Sequence, residues 1–356
     1  MISTAPFKLS GRRTLLLAGG AFSQVEAKTA VCYLMYRGED VAAVLDPDRA
    51  GETTQDVVGL GGDTPVVGTV ADALALGPEV AIVGSAPMGG ALDGPLRDQV
   101  LACLDAGMDV VSGLHTFLSD DEALASAATA NGARIWDVRR VEEQSRVSTG
   151  EGCATASVVL VTGTDCNVGK MTATVALDRA ASERGIRSAW AATGQTGIML
   201  RERGIAVDRV ISDFVGGATE ALVNAEAEAA DLIWVEGQGA IVHPGYAGVT
   251  LGMMYGAMPD VLVLAHTADR EHFKRLDSLP LPPIGELIEL HEALMRPFKP
   301  AKVAALAVNT SCLDEPSARA YLAELRRETG RVADDVIRFG SAAVLDAVTD
   351  ALEVQR

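Results

Sequence analysis

Aromatic side chains are scarce in this chain: Phe, Trp and Tyr make up 4% of its 356 residues, against 48% for hydrophobic residues of all kinds. Its core must therefore be packed from Ala, Val, Leu and Ile. Cysteine is sparse as well. Cys32, Cys103, Cys153, Cys166 and Cys312 are odd in number and scattered, and no two form a C-x-x-C pair. That excludes a disulfide framework and a structural zinc knuckle, and fits a reducing cytoplasm, where we expect the protein to work. No apolar run has transmembrane length, and the N-terminus lacks the apolar stretch of a secretory signal. Positive charge is in deficit, with 30 Lys and Arg against 48 Asp and Glu and a net charge of -18. Such a surface argues against nucleic acid or an anionic membrane as a partner.

Glycine is plentiful, at 36 residues, as in α/β proteins with many strand-to-helix turns. Apolar runs at 14–18, 41–45, 65–67, 80–83, 108–111 and 134–138, alternating with helical patterns, predict a doubly wound, Rossmann-like layer over residues 1–140. Its first turn, Gly19-Gly20-Ala21-Phe22-Ser23-Gln24, lacks the third glycine and the spacing of a dinucleotide fingerprint, so NAD is not expected there. His115, closing the fifth of these strands, is either a site residue or a turn histidine, and the turn is the favoured reading. Residues 141–152 are polar and aperiodic and read as a linker. Residues 153–356 predict a second doubly wound α/β domain of mostly parallel sheet.

That second domain opens with the most informative stretch. The β-branched run Val158–Thr162 stops at Gly163; Thr164, Asp165, Cys166, Asn167 and Val168 follow, then Gly169, Lys170, Met171 and Thr172 at the start of a helical segment. Strand, glycine loop and helix in this order turn backbone N–H groups and a helix N-terminus toward one point, where phosphate oxygens find donors. Lys170 adds a charge that can reach a phosphate. An ordinary strand-to-helix turn accounts for the glycines but not for a lysine at a helix start, where the macrodipole disfavours a cation. The pattern differs from the usual phosphate loop in having five residues between the glycines, not four, and Met171 where magnesium is normally held, with Thr172 one position later.

Polar residues close several later strands. Glu236 ends the run Asp231–Val235, and an acid at such a tip beside a phosphate loop can hold magnesium. Asp213 is the second candidate, with an N-cap on the following helix as its structural alternative. If a magnesium nucleotide binds, Thr172, Asp213 and Glu236 are the expected ligands. Gln195 and Gln238 stand in glycine-rich tips as candidate substrate contacts, His266 and Arg270 follow the strand at 260–265, and Asn309 ends the strand at 302–308, where an amide can read a nucleobase edge.

Gly-Thr-Asp-Cys-Asn-Val-Gly-Lys-Met-Thr resembles the loop of dethiobiotin synthetase-like NTPases, and Glu236-Gly-Gln-Gly resembles their magnesium-binding strand tip. A resemblance over the whole chain is closer. Ala27–Ala30, Ser85–Gly90, Gly113–His115, the phosphate loop, Ser212–Phe214, Glu236–Gly239 and Asn309-Thr310 together resemble the DUF1611 family, some of whose members are D-glutamate N-acetyltransferases. Asp93 departs from that family's pattern, which has proline there. The resemblance implies a Rossmann-like domain followed by a phosphate-loop domain, acetyl-CoA as donor and an amino acid as acceptor, in D-amino-acid catabolism. The expected partners are that small substrate and further copies of the chain.

Acetyl transfer to an amine needs a general base, for which Glu236, His266 and His243 are candidates, with Lys170 or loop N–H groups to hold the oxyanion. Asp213 is a further candidate acid–base group. Arg270 or Arg201 can clasp substrate carboxylates. The competing reading is an ATP- and magnesium-dependent kinase or ligase of the dethiobiotin synthetase type, with Lys170 on the β- and γ-phosphates.

Overall fold

The computed structural model describes residues 2–24, 26–85, 92, 94–142 and 144–355. Ala86–Gly90 of the Ser85–Gly90 motif, and Asp93, lie outside the described residues. The elements run β1 (Ser3–Thr4), β2 (Thr14–Leu17), α1 (Lys28–Arg37), β3 (Val41–Leu45), α2 (Thr54–Val58), β4 (Val66–Val67), α3 (Val70–Leu74), β5 (Val80–Val83), α4 (Gly94–Asp105), β6 (Asp109–Ser112), α5 (Glu122–Ala130) and β7 (Ile135–Asp137). There follow β8 (Ser157–Gly163), α6 (Lys170–Glu183), β9 (Ser188–Ala191), α7 (Gln195–Arg201), β10 (Arg203–Gly204), α8 (Val215–Glu226), β11 (Leu232–Glu236), α9 (Ala247–Ala257), β12 (Val261–Thr267), β13 (His272–Phe273), β14 (Leu276–Pro280), α10 (Ile284–Met295), β15 (Lys302–Asn309), α11 (Glu315–Thr329), β16 (Val332–Asp334) and α12 (Ala342–Gln355).

The chain divides into two compact units. One comprises Ser3–Val141 together with Gln195–Ala206; the other comprises Glu142–Gly194 and Val207–Arg356, with the first two residues. In the first, six parallel strands lie in the order β4-β3-β2-β5-β6-β7. This is the doubly wound arrangement, whose order reverses beside the first strand. Leu15, Leu17, Ala43, Ala81 and Val110, all fully buried, fill its core with Leu104 and Leu124 from the covering helices. The segment 195–206 joins this unit through α7, whose Leu200 carbonyl accepts from Arg37 Nη2 at 3.0 Å, and through the antiparallel pairing of β10 with β1.

In the second unit six parallel strands lie in the order β16-β15-β12-β8-β11-β9. The strand leading into the phosphate loop, β8, is central, so strand tips from β11 and β12 flank the loop on either side. Open parallel sheets bind ligands at these carboxyl ends. Local sequence sets the covering helices: α11 starts behind Asp314, whose carboxylate accepts from Ser317 N at 2.8 Å, and ends at Gly330 with φ 65°.

Helix α9 and the β13–β14 hairpin are among the elements that escape the sequence patterns. Helix α9 is Ala-Gly-Val-Thr-Leu-Gly-Met-Met-Tyr-Gly-Ala, with no charged residue to mark a polar face. Gly252 and Gly256 serve close packing on α8: a Cβ on Gly252 would lie 2.9 Å from Val215 Cγ1, and one on Gly256 2.1 Å from the Gly216 carbonyl oxygen. The β13–β14 hairpin lies largely ahead of the proline-rich turn at 279–283, and its strands are too short to show alternation. Among the described residues no helix is long and apolar enough to cross a membrane.

Candidate functional site

Strand β8 is buried from Val158 onward, and its apolar run ends where Gly163 admits the loop. A Cβ on Gly163 would stand 2.9 Å from Val168 Cγ2 and 3.0 Å from Lys170 Cδ, so the lysine stem crosses directly over this residue. The loop turns through left-handed conformations at Asn167 (φ 55°) and Gly169 (φ 95°), and α6 begins at Lys170. No acidic residue lies in the first turn of α6 and no side chain caps it, which leaves its positive end to the loop. Lys170 is 8% exposed; its Nζ donates to Asp165 O at 2.8 Å and to Gly239 O at 2.7 Å. The ammonium thus sits under the loop, held by one carbonyl from it and one from the tip beyond β11.

Asp165 is fully buried. Its carboxylate accepts from Cys166 N at 2.6 Å, from Lys274 N at 2.7 Å and from the Arg270 guanidinium, which also reaches Cys166 O at 3.2 Å. Arg270, expected to clasp substrate, therefore spends its charge on a buried partner and ties the phosphate loop to the hairpin. The other side of the loop is tied as well. Thr164 Oγ1 bonds His266 Nδ1 at 3.0 Å, and His266 Nε2 bonds the Tyr321 hydroxyl at 2.9 Å. Burial, with Arg270 adding to it and Asp269 opposing, pushes the His266 pKa down to about 4. A neutral ring with both nitrogens engaged holds the loop in place and is poorly suited to take a proton.

Two residues before Thr164, Thr162 Oγ1 meets His291 Nε2 at 3.0 Å, and the His291 Nδ1 bonds Leu287 O at 2.6 Å. Burial pushes this pKa to about 4 too, the Leu287 contact opposing. On acidification the unfolded chain takes up protons at both positions before the folded one. The contribution of each histidine is thus fully present above about pH 6.5 and is lost as pH falls toward 4, on the order of a few kcal/mol per histidine. Denaturant titrations at pH 7 and 4.5 should show this loss, and His291→Gln should flatten it; an unchanged slope would refute the assignment.

Glu236, at the end of β11, is 4% exposed. Its Oε2 accepts from Thr193 N at 3.0 Å and Gly194 N at 3.3 Å, and its Oε1 accepts from Gln238 Nε2 at 3.4 Å. A Cβ on Gly194 would come within 2.6 Å of Gln238 Nε2 and 2.9 Å of Glu236 Oε1, so a side chain there would push both groups aside. The carboxylate is held rigidly one strand from the loop, in register with Val161 of β8.

Family models described as the DUF1611_C P-loop domain and the DUF1611_N Rossmann-like domain match residues 146–345 and 47–141. This chain belongs to the DUF1611 family. A relative from Tritonibacter scottomollicae named D-glutamate N-acetyltransferase is 36% identical over 79% of this chain and 84% of its own length. One of the same name from a Pseudoalteromonas species is 34% identical over 78% and 83%. The crystal structure of a DUF1611 family protein from Anabaena variabilis matches with a TM-score of 0.90 at 36% identity, covering 96% of this chain and all of its own.

In this DUF1611 chain Gln238 stands with Glu236, and the remaining candidates lie on other elements. Asp213 is exposed in a short 3-10 turn, Ser212–Phe214, outside the hydrogen bonds that hold Glu236. Thr172 stands in the first turn of α6 and Asn309 at the tip of β15, where its Oδ1 accepts from Ser311 N at 3.0 Å. Gln195 belongs to the Rossmann-like unit; its Oε1 accepts from Arg139 Nη1 at 2.7 Å. Gln238 also donates to Thr193 Oγ1 at 3.2 Å. Among the described residues Asp165, Cys166 and His243 offer ligand atoms within 4.8 Å of one another. The Asp165 charge is already matched by Arg270, and His243 Nδ1 accepts from Gly245 N at 3.1 Å where a metal-bound imidazole would carry a donor. The trio therefore lacks the surroundings of a metal site.

Proposed function

We propose that this protein is an N-acetyltransferase that moves an acetyl group from acetyl-CoA to the amine of an amino acid, with D-glutamate as acceptor, in D-amino-acid catabolism. The named relatives support the reaction. The observation that carries the site is the rigid phosphate loop with the buried Lys170 beneath it and the Glu236 carboxylate one strand away. The N–H groups of the loop and of the first turn of α6, over residues 163–172, hold the pyrophosphate of the donor, and Lys170 neutralises it. Asn309, at the tip of β15 two strands from β8, contacts the base. The acceptor reaches neutral pH as an ammonium and must lose a proton before its nitrogen attacks the thioester. Glu236 takes that proton, because His266 is spent on Thr164 and Tyr321. Gln238 and the N–H groups of Thr193 and Gly194 keep the carboxylate aimed. The tetrahedral oxyanion is stabilised by Lys170 and loop N–H groups.

The magnesium-nucleotide alternative asks Thr172, Asp213 and Glu236 to gather on one ion, and the exposed turn of Asp213 gives that little support. Incubating the protein with acetyl-CoA and D-glutamate should give N-acetylglutamate by mass spectrometry and one free CoA thiol per product, without added ATP. Tight Mg-ATP binding by calorimetry with no acetyl product would replace this reading by the kinase or ligase one.

A further inference from the structure

We propose that the cavity over the β13–β14 hairpin is the seat of the acceptor's carboxylates, held by Arg275, with the amine left to Glu236; this rests on the acetyl-transfer reading. The cavity is a shallow, open depression of about 360 Å³ on the face of the hairpin. Its lining carries both signs: Arg270, Lys274 and Arg275 against Asp269, Glu271 and Asp277. A purely anionic ligand such as a phosphate ester would face three carboxylates there. An amino acid carries one cation and, in glutamate, two anions, so its overall charge suits a lining of both signs better than a purely anionic ligand does.

The six charges are not equally available. Arg270 is bound to Asp165, and Asp269 accepts from Thr267 Oγ1 at 2.8 Å. Arg275 and Glu271 are exposed, and Arg275 makes no side-chain hydrogen bond or ion pair among the described residues. Arg275 also holds a left-handed backbone, φ 66°, which is unfavourable for a residue with a side chain and directs the start of β14. The floor is firm: Phe273 is 5% exposed and meets the His243 ring edge-on at 5.6 Å. The cavity is also tied to the phosphate loop, since Asp165 accepts from Lys274 N and from Arg270. One buried carboxylate thus positions the donor's loop and the acceptor's hairpin together.

Arg275→Gly tests this, because glycine removes the guanidinium while suiting φ 66°. Loss of one charge-assisted contact should raise the KM for D-glutamate about tenfold to a hundredfold, leave the KM for acetyl-CoA unchanged, and be partly restored in Arg275→Lys. An unchanged acceptor KM, or a rise in the donor KM instead, would overturn the assignment. Should the wild-type protein transfer no acetyl group, the functional reading fails, and calorimetry with D-glutamate alone still decides the cavity. Weaker binding to Arg275→Gly than to wild type supports it, and equal or absent binding overturns it.

Discussion

Lys170→Ala is expected to weaken acetyl-CoA binding by about ten- to a hundredfold, the worth of roughly 1.5–3 kcal/mol for a hydrogen bond to a charged group. The ammonium is already at the loop, fixed by the Asp165 and Gly239 carbonyls, so it needs little ordering when a phosphate arrives. The effect should shrink as salt is raised, because part of it is charge attraction to a multiply charged ligand. Calorimetry of CoA against wild type and variant measures it directly, with thermal melting as a check on folding. Equal affinity would remove Lys170 from the donor site.

Glu236→Gln is expected to lower kcat by about 10²–10⁴-fold, the range for losing a positioned general base, while leaving the donor's dissociation constant near wild type. The amide keeps an oxygen for the Thr193 and Gly194 N–H groups, so the strand tip should persist. The loss should diminish at high pH, where more of the acceptor is already free amine. A kcat within a few-fold of wild type at neutral pH would show that another group takes the proton. His266→Gln is the informative companion: since the imidazole is a tie between Thr164 and Tyr321, its loss should reduce stability and donor affinity more than it changes the pH profile.

Much of the fold was legible because its strands are buried on both faces and read as continuous apolar runs, as at Val158–Thr162 and Leu232–Val235. The bounds of α10 and α11 were legible for another reason: proline before one, and Asp314 and Gly330 around the other, punctuate the chain. The all-apolar α9 lacked any polar stripe, and α7 lay within what read as a loop. The phosphate loop was readable from its context, an apolar strand, two glycines and a lysine at a helix start, although its spacing departs from the usual pattern. The ties that hold it were not, since Asp165 meets Arg270 across 105 positions and Thr162 meets His291 across 129. Those contacts exist only once strand order is known. Arg270 illustrates the consequence: residue type suggested a substrate clasp, and the fold gives it a buried carboxylate that no local pattern connects to it.

A crystal structure of the protein soaked with CoA examines the central claim most directly. The pyrophosphate should lie against the N–H groups of residues 165–170, within hydrogen-bond reach of Lys170 Nζ, with the thiol end directed toward Glu236. CoA bound elsewhere, with this loop still closed on its own carbonyls, would contradict the account.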